Sequence, residues 1–251
     1  VAKGEIEFDH VSFAYPEAGE NVLTDISFKA KKGQTIAVIG STGSGKSTLI
    51  NLIPRYYDVT KGSVKVDGVD VRDMTQKELR DKLGYVPQKG VLFSGTIDSN
   101  IRYGKPEITD AQVKEAAEVA QATEFIDTKP EKYESPVSQG GTNVSGGQKQ
   151  RLSIARAIAK DPEIFIFDDS FSALDFKTDS QLRKALKEYT KDATTVIVAQ
   201  RISTILGADQ IIVLDDGHMA GIGTHKELMA NCEVYQQIAR SQLSQEELDY
   251  E

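Results

Sequence analysis

Residues 40–48 read Gly40-Ser41-Thr42-Gly43-Ser44-Gly45-Lys46-Ser47-Thr48, and the rest of the chain can be interpreted from them. They fit the phosphate-loop pattern, in which a glycine and four free positions precede Gly-Lys-Ser. The apolar run 35–39 before them predicts a buried strand, and the apolar run 49–53 after them predicts a helix that Pro54 ends. Strand, glycine loop and helix in this order predict a nucleotide site. The alternative is a plain Gly/Ser turn that happens to precede a lysine.

The residue types of the loop suit a chain of phosphates. Its glycines permit backbone angles that a side chain would block, so successive N–H groups can face phosphate oxygens at the positive end of a helix. Lys46 would bring a mobile charge to the outer phosphates, and Ser47 a hydroxyl to Mg²⁺. We therefore predict a chain of phosphates with Mg²⁺ as the ligand of this loop, contacted by Ser41, Thr42, Gly43, Ser44, Gly45, Lys46, Ser47 and Thr48.

The composition is that of an ordinary globular domain. The chain has 251 residues, of which 39% are hydrophobic and 27% charged, and its formal net charge of −8 disfavours a nucleic-acid partner. A single cysteine, Cys232, excludes an internal disulfide, and three scattered histidines form no zinc pattern. No apolar run approaches the ~20 residues of a spanning helix, and no signal peptide is expected. Because the chain begins at Val1 rather than Met, we expect a piece cut from a longer protein.

The order of predicted elements indicates an α/β fold with a helical insertion. Residues 1–87 and 161–251 read as the core: the first 70 residues are mostly strands, including a hairpin at 64–68, and strands and helices alternate again from 161. Residues 88–160 read as a helical subdomain, and the acidic tail 245–251 is expected to fray. The helices predicted in the insertion are Thr96–Tyr103, Thr109–Ala120, Glu124–Thr128 and Gly146–Ala159.

A second phosphate-site element lies at the end of a later strand. The apolar run Ile164–Phe167 is followed by Asp168, which is the Walker B arrangement. A carboxylate at a strand end beside the phosphate loop can hold Mg²⁺, directly or through water. A buried strand that ends in Asp is common, so this signal depends on the phosphate loop for its meaning.

One further motif carries a family resemblance. Asn143-Val144-Ser145-Gly146-Gly147-Gln148 resembles the LSGGQ signature of ATP-binding cassette (ABC) proteins, with Val144 in the leucine position. Ser145 can cap the following helix, and the glycines would leave its N–H groups open to an anion; a flexible Ser-Gly turn is the alternative. The resemblance covers essentially the whole chain. It implies a P-loop NTPase (ABC ATPase) core, an N-terminal antiparallel β subdomain and an inserted helical subdomain.

The resemblance also implies roles for single residues. Tyr15 matches the aromatic that stacks on adenine, Gln88 the glutamine that senses Mg²⁺ or the attacking water, and Ser172-Ala173-Leu174-Asp175 a loop that crosses a dimer interface. Without the family these are a tyrosine at a strand end, a solvated amide and a helix cap. In the family, two domains bind two ATP head to tail, so the partner's nucleotide would be contacted by Ser145, Gly146, Gly147 and Gln148.

The segment just before the signature resembles ABC exporters rather than importers, although Gln139 stands there where exporters commonly carry Glu, and so does the segment 91–101. Within it, Val91-Leu92-Phe93 would be an exposed apolar patch for helices of a transmembrane domain that this sequence does not contain; burial under the insertion is the alternative. The resemblance therefore implies a peripheral domain at the cytoplasmic face of the cell membrane.

Two positions depart from the family pattern. Asp169 stands where the family has a Glu that polarises the attacking water, and Gln200 stands where it has a His. An Asp carboxylate is set back by about 1.5 Å, and a misplacement of ~1 Å can cost roughly 100-fold in rate. Gln200 can donate a hydrogen bond but carries no positive charge.

Together the changes resemble the degenerate-site half of a heterodimeric bacterial multidrug ABC exporter, whose partner is a different chain. In that reading catalysis at the chain's own site, by Asp169, Gln200 and Gln88, is weak, and the metal ligands are Ser47, Gln88 and Asp168. Tolerated variants in an ordinary homodimer are the alternative. A soluble ABC ATPase acting on DNA or ribosomes and a non-hydrolysing ATP-binding regulatory module also remain open.

Overall fold

The computed structural model describes residues 3–103 and 105–250. The chain divides into two compact units, which we call unit one (Val1–Leu83 and Ala193–Glu251) and unit two (Gly84–Asp192). Unit one is therefore built from two segments that are far apart in sequence. The division at 88 and 160 that was drawn from the sequence stays a prediction.

Unit one contains most of the strands. They are β1 (Ile6–Phe13), β2 (Leu23–Ala30), β3 (Thr35–Gly40), β4 (Lys61–Val66), β5 (Val69–Asp70), β10 (Thr194–Val198), β11 (Gln210–Asp215) and β12 (His218–Gly223). Its α-helices are α1 (Lys46–Asn51), α2 (Gln76–Asp81), α8 (His225–Asn231), α9 (Glu233–Gln242) and α10 (Gln245–Leu248). A 3₁₀ turn, Ile202–Thr204, lies between β10 and β11.

The first sheet of unit one confirms the predicted N-terminal antiparallel subdomain. Its strand order is β2-β1-β4-β5, with β1 antiparallel to both of its neighbours. The predicted hairpin joins β4 to β5 through Asp67 and Gly68, whose φ angles of 53° and 80° both lie in the left-handed region. Asp and Gly tolerate that region, which explains why this dipeptide forms the turn.

The second sheet of unit one positions the phosphate loop. Its strands within this unit follow the order β12-β11-β3-β10, with β3 parallel to both β11 and β10. Residues 36–39 of β3 are at most 2% exposed, as the continuous apolar run predicted. The carboxyl ends of β3, β10 and β11 therefore lie at one edge of the sheet, where ligands bind in open α/β sheets.

Unit two contains β6 (Leu83–Val86), β7 (Gly95–Thr96), β8 (Pro136–Val137) and β9 (Ile164–Asp168), with β6 beside β9 and β7 paired to β8. Its helices are α3 (Ile97–Arg102), α4 (Asp110–Val119), α5 (Thr123–Thr128), α6 (Gly146–Ala159) and α7 (Phe176–Tyr189). Helices α3 and α4 pack on α6, which buries eight of its residues. The predicted bounds of α6 are confirmed, and Thr109, the first residue of the predicted second helix, is the cap of α4.

Two details of the sequence interpretation are wrong. Pro54 does not end the helix after the phosphate loop, because α1 already ends at Asn51 and Pro54 lies in the turns that follow. The tail is not frayed over 245–248, because Ser244 caps α10 through a hydrogen bond from the Glu247 N–H. Within residues 3–103 and 105–250, every helix is too short or too polar to cross a membrane.

Candidate functional site

The phosphate loop of unit one is held in a compact form by its own main chain. The Lys46 Nζ donates to the Gly40 carbonyl oxygen at 2.7 Å, and Gly45 has a φ of +101°. A Cβ added at Gly40 would lie 2.5 Å from the Leu214 carbonyl oxygen and 2.5 Å from the Ser44 Oγ. Only glycine fits at position 40 without displacing main chain, so the loop geometry depends on the motif residues themselves.

The loop also holds polar groups ready for a ligand. The Ser44 Oγ is buried and has no hydrogen-bond partner within the described part of the chain, whereas Ser41, Thr42 and Gly43 are exposed. A buried hydroxyl without a partner costs free energy, and a bound oxygen-rich ligand is one way to offset that cost. The residues present thus fit a phosphate group.

Tyr15 is fixed beside the loop by three contacts. Its hydroxyl lies 2.8 Å from the Thr48 Oγ1, and its ring meets the rings of Phe13 and Tyr57 edge-on at centroid distances of 4.9 and 5.1 Å. The structure thus brings the predicted adenine-stacking residue to the phosphate loop. Tyr57 was missed by the sequence interpretation, although the aromatic pair Tyr56-Tyr57 shortly after α1 was a visible signal.

Gln200 stands at the same sheet edge as the phosphate loop. Strands β10 and β3 are parallel, and Val198 of β10 lies opposite Val38 of β3. Gln200 therefore comes just after β10 ends, level with Gly40, the last residue of β3. Its side chain is exposed, and its carbonyl oxygen accepts a hydrogen bond from the Gln242 Nε2 at 3.0 Å. Gln242 was also missed, because it lies on α9, remote from every motif.

In unit two, Asp168 ends β9 as predicted, and the next residue departs from regular geometry. Asp169 has a φ of +49°, which is uncommon for a residue with a side chain. Its Oδ2 accepts a hydrogen bond from the Gln88 Nε2 at 3.3 Å. The following Ser170 is fully buried and donates to the Val86 carbonyl oxygen at 2.7 Å. The structure therefore brings together two of the three predicted catalytic residues, Gln88 and Asp169.

The signature residues begin α6 with a complete capping box. The Ser145 Oγ accepts from the Gln148 N–H at 3.1 Å, and the Gln148 Oε1 accepts from the Ser145 N–H at 3.3 Å. The first N–H groups of a helix have no partner within it, and here they belong to Gly146 and Gly147. A Cβ added at Gly146 would meet nothing within 4 Å. The helix start is therefore open to an approaching anion.

The segment 91–93 divides between surface and core. Leu92 is 1% exposed, whereas Val91 and Phe93 are 50% and 40% exposed. The predicted exposure thus holds for Val91 and Phe93 and the alternative, burial, for Leu92, while docking to a transmembrane domain stays a prediction. The Phe93 ring stacks on the Tyr103 ring, with centroids 4.5 Å apart and planes 8° apart.

A half-buried cation contacts both rings. The Arg156 guanidinium carbon lies 5.3 Å from the centroid of each ring, and its Nη1 donates to the Val91 carbonyl oxygen at 2.8 Å. Burial lowers the pKa of Arg156, although a guanidinium stays charged in proteins. We call Phe93, Tyr103 and Arg156 the aromatic platform. It exposes two large rings on a rigid base.

Each unit offers oxygen donors of the type that Mg²⁺ prefers. Ser47 is an exposed hydroxyl at the start of α1 in unit one, and Asp168 is a half-buried carboxylate at the end of β9 in unit two. Mg²⁺ in nucleotide sites takes one or two protein oxygens and completes its shell with phosphates and water. The donor chemistry fits that ion. Among the described residues, 3–103 and 105–250, no group of three or more His, Cys, Asp or Glu side chains could hold a metal.

Comparison with known proteins gives consistent matches. A family model described as "ABC transporter" matches residues 23–172. A putative multidrug export ATP-binding/permease protein of Staphylococcus aureus is 46% identical over 238 residues, which are 95% of this chain and 41% of that protein. An uncharacterized ABC transporter ATP-binding protein of Mycobacterium bovis is 48% identical over 242 residues, with the same coverage.

A solved structure of a bacterial Atm1-family ABC exporter with ATP bound superposes with a TM-score of 0.90 at 38% identity. The match covers 95% of this chain and 42% of that one. This chain thus spans about two fifths of the length of the relatives that it matches.

Proposed function

This chain belongs to the ABC transporter family, and from that premise we propose that it is the nucleotide-binding domain of a membrane exporter of the multidrug type. It binds ATP with Mg²⁺, and the binding and hydrolysis of ATP drive export by a transmembrane part. The observation that carries this proposal is the pairing, in one chain, of a preformed phosphate loop with a capped, open signature helix. Both are anion sites, and in the family each nucleotide is bound between the phosphate loop of one copy and the signature helix of the other.

At the chain's own site the residues would divide the work. Lys46, which now bonds to the Gly40 carbonyl oxygen, would turn to the outer phosphates, and Tyr15 would stack on the base. Ser47, Gln88 and Asp168 would hold the Mg²⁺, which neutralises phosphate charge. Water activation would fall to Asp169, and Gln200 would contact the terminal phosphate.

We propose further that this site hydrolyses ATP weakly. Support comes from Asp169, whose carboxylate is one methylene shorter than Glu and is bonded to Gln88, and from Gln200, which has no positive charge to offer. The expected loss is in the rate of the hydrolysis step, since neither residue belongs to the loop that binds the phosphates. The intact signature would complete the competent site of a second nucleotide-binding domain on a different chain.

The aromatic platform is a surface on which a membrane-embedded partner could dock. Exposed rings over a fixed base are typical of surfaces that bind other proteins, and helices of a transmembrane domain are the proposed occupant. That arrangement would place this chain peripherally, at the cytoplasmic face of the cell membrane.

A titration of the chain with ATP, with and without Mg²⁺, tests the proposal. We expect magnesium-dependent binding that Lys46→Ala weakens strongly, and slow hydrolysis by the chain alone. Lys65→Ala, a change on strand β4 outside the loop, is the matched control and should leave binding unchanged. Binding that is indifferent to Lys46→Ala would overturn the nucleotide site, and rapid turnover by the chain alone would overturn the weak site.

A second function is an ATP-binding module that regulates a partner without hydrolysis. The Gln88–Asp169 hydrogen bond favours it, because the two side chains that would act on the attacking water bond to each other instead. It predicts no turnover even when a partner with intact catalytic residues is added. The exporter proposal predicts that the mixture hydrolyses ATP and that Ser145→Ala in this chain slows it.

A further inference from the structure

One side chain of α9 binds the main chain on both sides of Arg201. The Gln242 Nε2 donates to the Gln200 carbonyl oxygen at 3.0 Å, and its Oε1 accepts from the Ile202 N–H at 2.9 Å. A primary amide carries a donor and an acceptor side by side, so it can serve both groups at once. We call these two bonds the amide clamp.

The helix that carries the clamp is itself anchored under this loop. Its residues Tyr235 and Ala239 belong to one buried cluster with Ala199, Ile202 and Ile205, and both are 0% exposed. Gln242, by contrast, lies on the surface. The buried cluster therefore holds α9 against the loop. The amide clamp adds two directional hydrogen bonds at the exposed end of the helix.

The clamped residue is next to the phosphate loop. Parallel pairing sets Val198 opposite Val38, and Leu214 opposite Gly40, so the main chain of Gln200 leaves the sheet beside the place where the loop begins. A hydrogen bond to the Gln200 carbonyl oxygen restricts the orientation of the peptide group between Gln200 and Arg201. It thereby restricts the direction in which the Gln200 side chain can point.

We propose that Gln242 is a positioning residue for Gln200, which it orients toward the terminal phosphate of a nucleotide in the phosphate loop. The inference rests on the proposed function, since it requires ATP in that loop. Neither Ala nor Glu can replace the amide. Ala makes neither bond, and the Glu carboxylate can accept from Ile202 but would face the Gln200 carbonyl oxygen with a second acceptor.

The test compares Gln242→Ala and Gln242→Glu with Gln237→Ala, a control at an exposed position of the same helix. Hydrogen exchange of the Ile202 amide reports the clamp, and titrations with MgATP and MgADP report its effect on the site. A net hydrogen bond corresponds to a factor of roughly 2 to 10 in an equilibrium. We therefore expect both Gln242 variants to weaken MgATP binding by about threefold to tenfold while MgADP binding is unchanged.

In the same samples, Gln242→Ala should speed exchange of the Ile202 amide several-fold, and Gln237→Ala should change nothing. An unchanged ratio of MgATP affinity to MgADP affinity would overturn the positioning role. Failure of the proposed function is recognised separately, because the unchanged chain would then show no magnesium-dependent affinity for ATP.

Discussion

Replacement of Asn100 by Ala should destabilise the segment that carries the aromatic platform. Asn100 is 1% exposed, and its Nδ2 donates to the carbonyl oxygens of Phe93 and Thr96, both at 2.9 Å. Its Oδ1 accepts from the Phe93 N–H at 2.8 Å and from the Arg156 Nη2 at 3.0 Å. Four hydrogen bonds at ~1 kcal/mol net each give a loss of about 4 kcal/mol. For a chain of this length that lowers Tm by roughly 8–16 °C.

Thermal and urea unfolding followed by circular dichroism would measure this change. Asn231→Ala, at the exposed last residue of α8, is the matched control and should stay within about 0.5 kcal/mol of the unchanged chain. Asn100→Asp keeps the acceptor, but it loses both donors and places a carboxylate oxygen against the carbonyl oxygens of Phe93 and Thr96 in a buried site, so its loss should exceed the ~2 kcal/mol of the two lost bonds. A loss below about 1 kcal/mol for Asn100→Ala would refute the reasoning, because Phe93 would then not depend on these bonds for its position.

Three further predictions concern chemistry, capping and pH. In a mixture with a second nucleotide-binding domain whose signature is intact, the double variant Asp169→Glu with Gln200→His should raise hydrolysis by about 100-fold in a phosphate-release assay, since it restores a carboxylate set back by about 1.5 Å; no gain in that mixture would contradict the positional argument. Ser145→Ala should cost ~1 kcal/mol in urea unfolding, whereas Ser145→Asn, which can still cap, should cost little. The Arg72 side chain lowers the pKa of Asp70, so the stability that Asp70 contributes is present above its unfolded pKa of 3.8 and is lost as pH falls further; Asp70→Asn should flatten this acid limb of a stability-versus-pH curve.

Local chemistry explains what the sequence could predict. Some features depend only on residues a few positions apart and can be recognised from the sequence alone. They are the phosphate loop, the Asp67-Gly68 turn and the caps at Thr109 and Ser145. The bounds of α6 were predicted to the residue because a cap marks its start.

Contacts between distant segments explain what the sequence could not predict. Gln242 meets Gln200 from a helix forty residues away in the chain, and nothing in the local pattern of α9 marks it as different from its neighbours. The tail was expected to fray because it is polar, but His225 bonds through its Nε2 to the Leu248 carbonyl oxygen at 3.0 Å. A buried imidazole needs partners for its nitrogens, and the tail supplies one.

The position of β3 in its sheet has a consequence for synthesis of the chain. Its parallel neighbour β10 pairs Val198 with Val38, about 160 residues later. At ~5–20 residues per second, a ribosome delivers that neighbour roughly 10 to 30 s after β3 itself. During this interval the apolar strand before the phosphate loop has neither parallel neighbour, and it is a natural target for chaperones that hold emerging chains. The phosphate loop that β3 positions can therefore reach its final geometry only after most of this sequence has been translated.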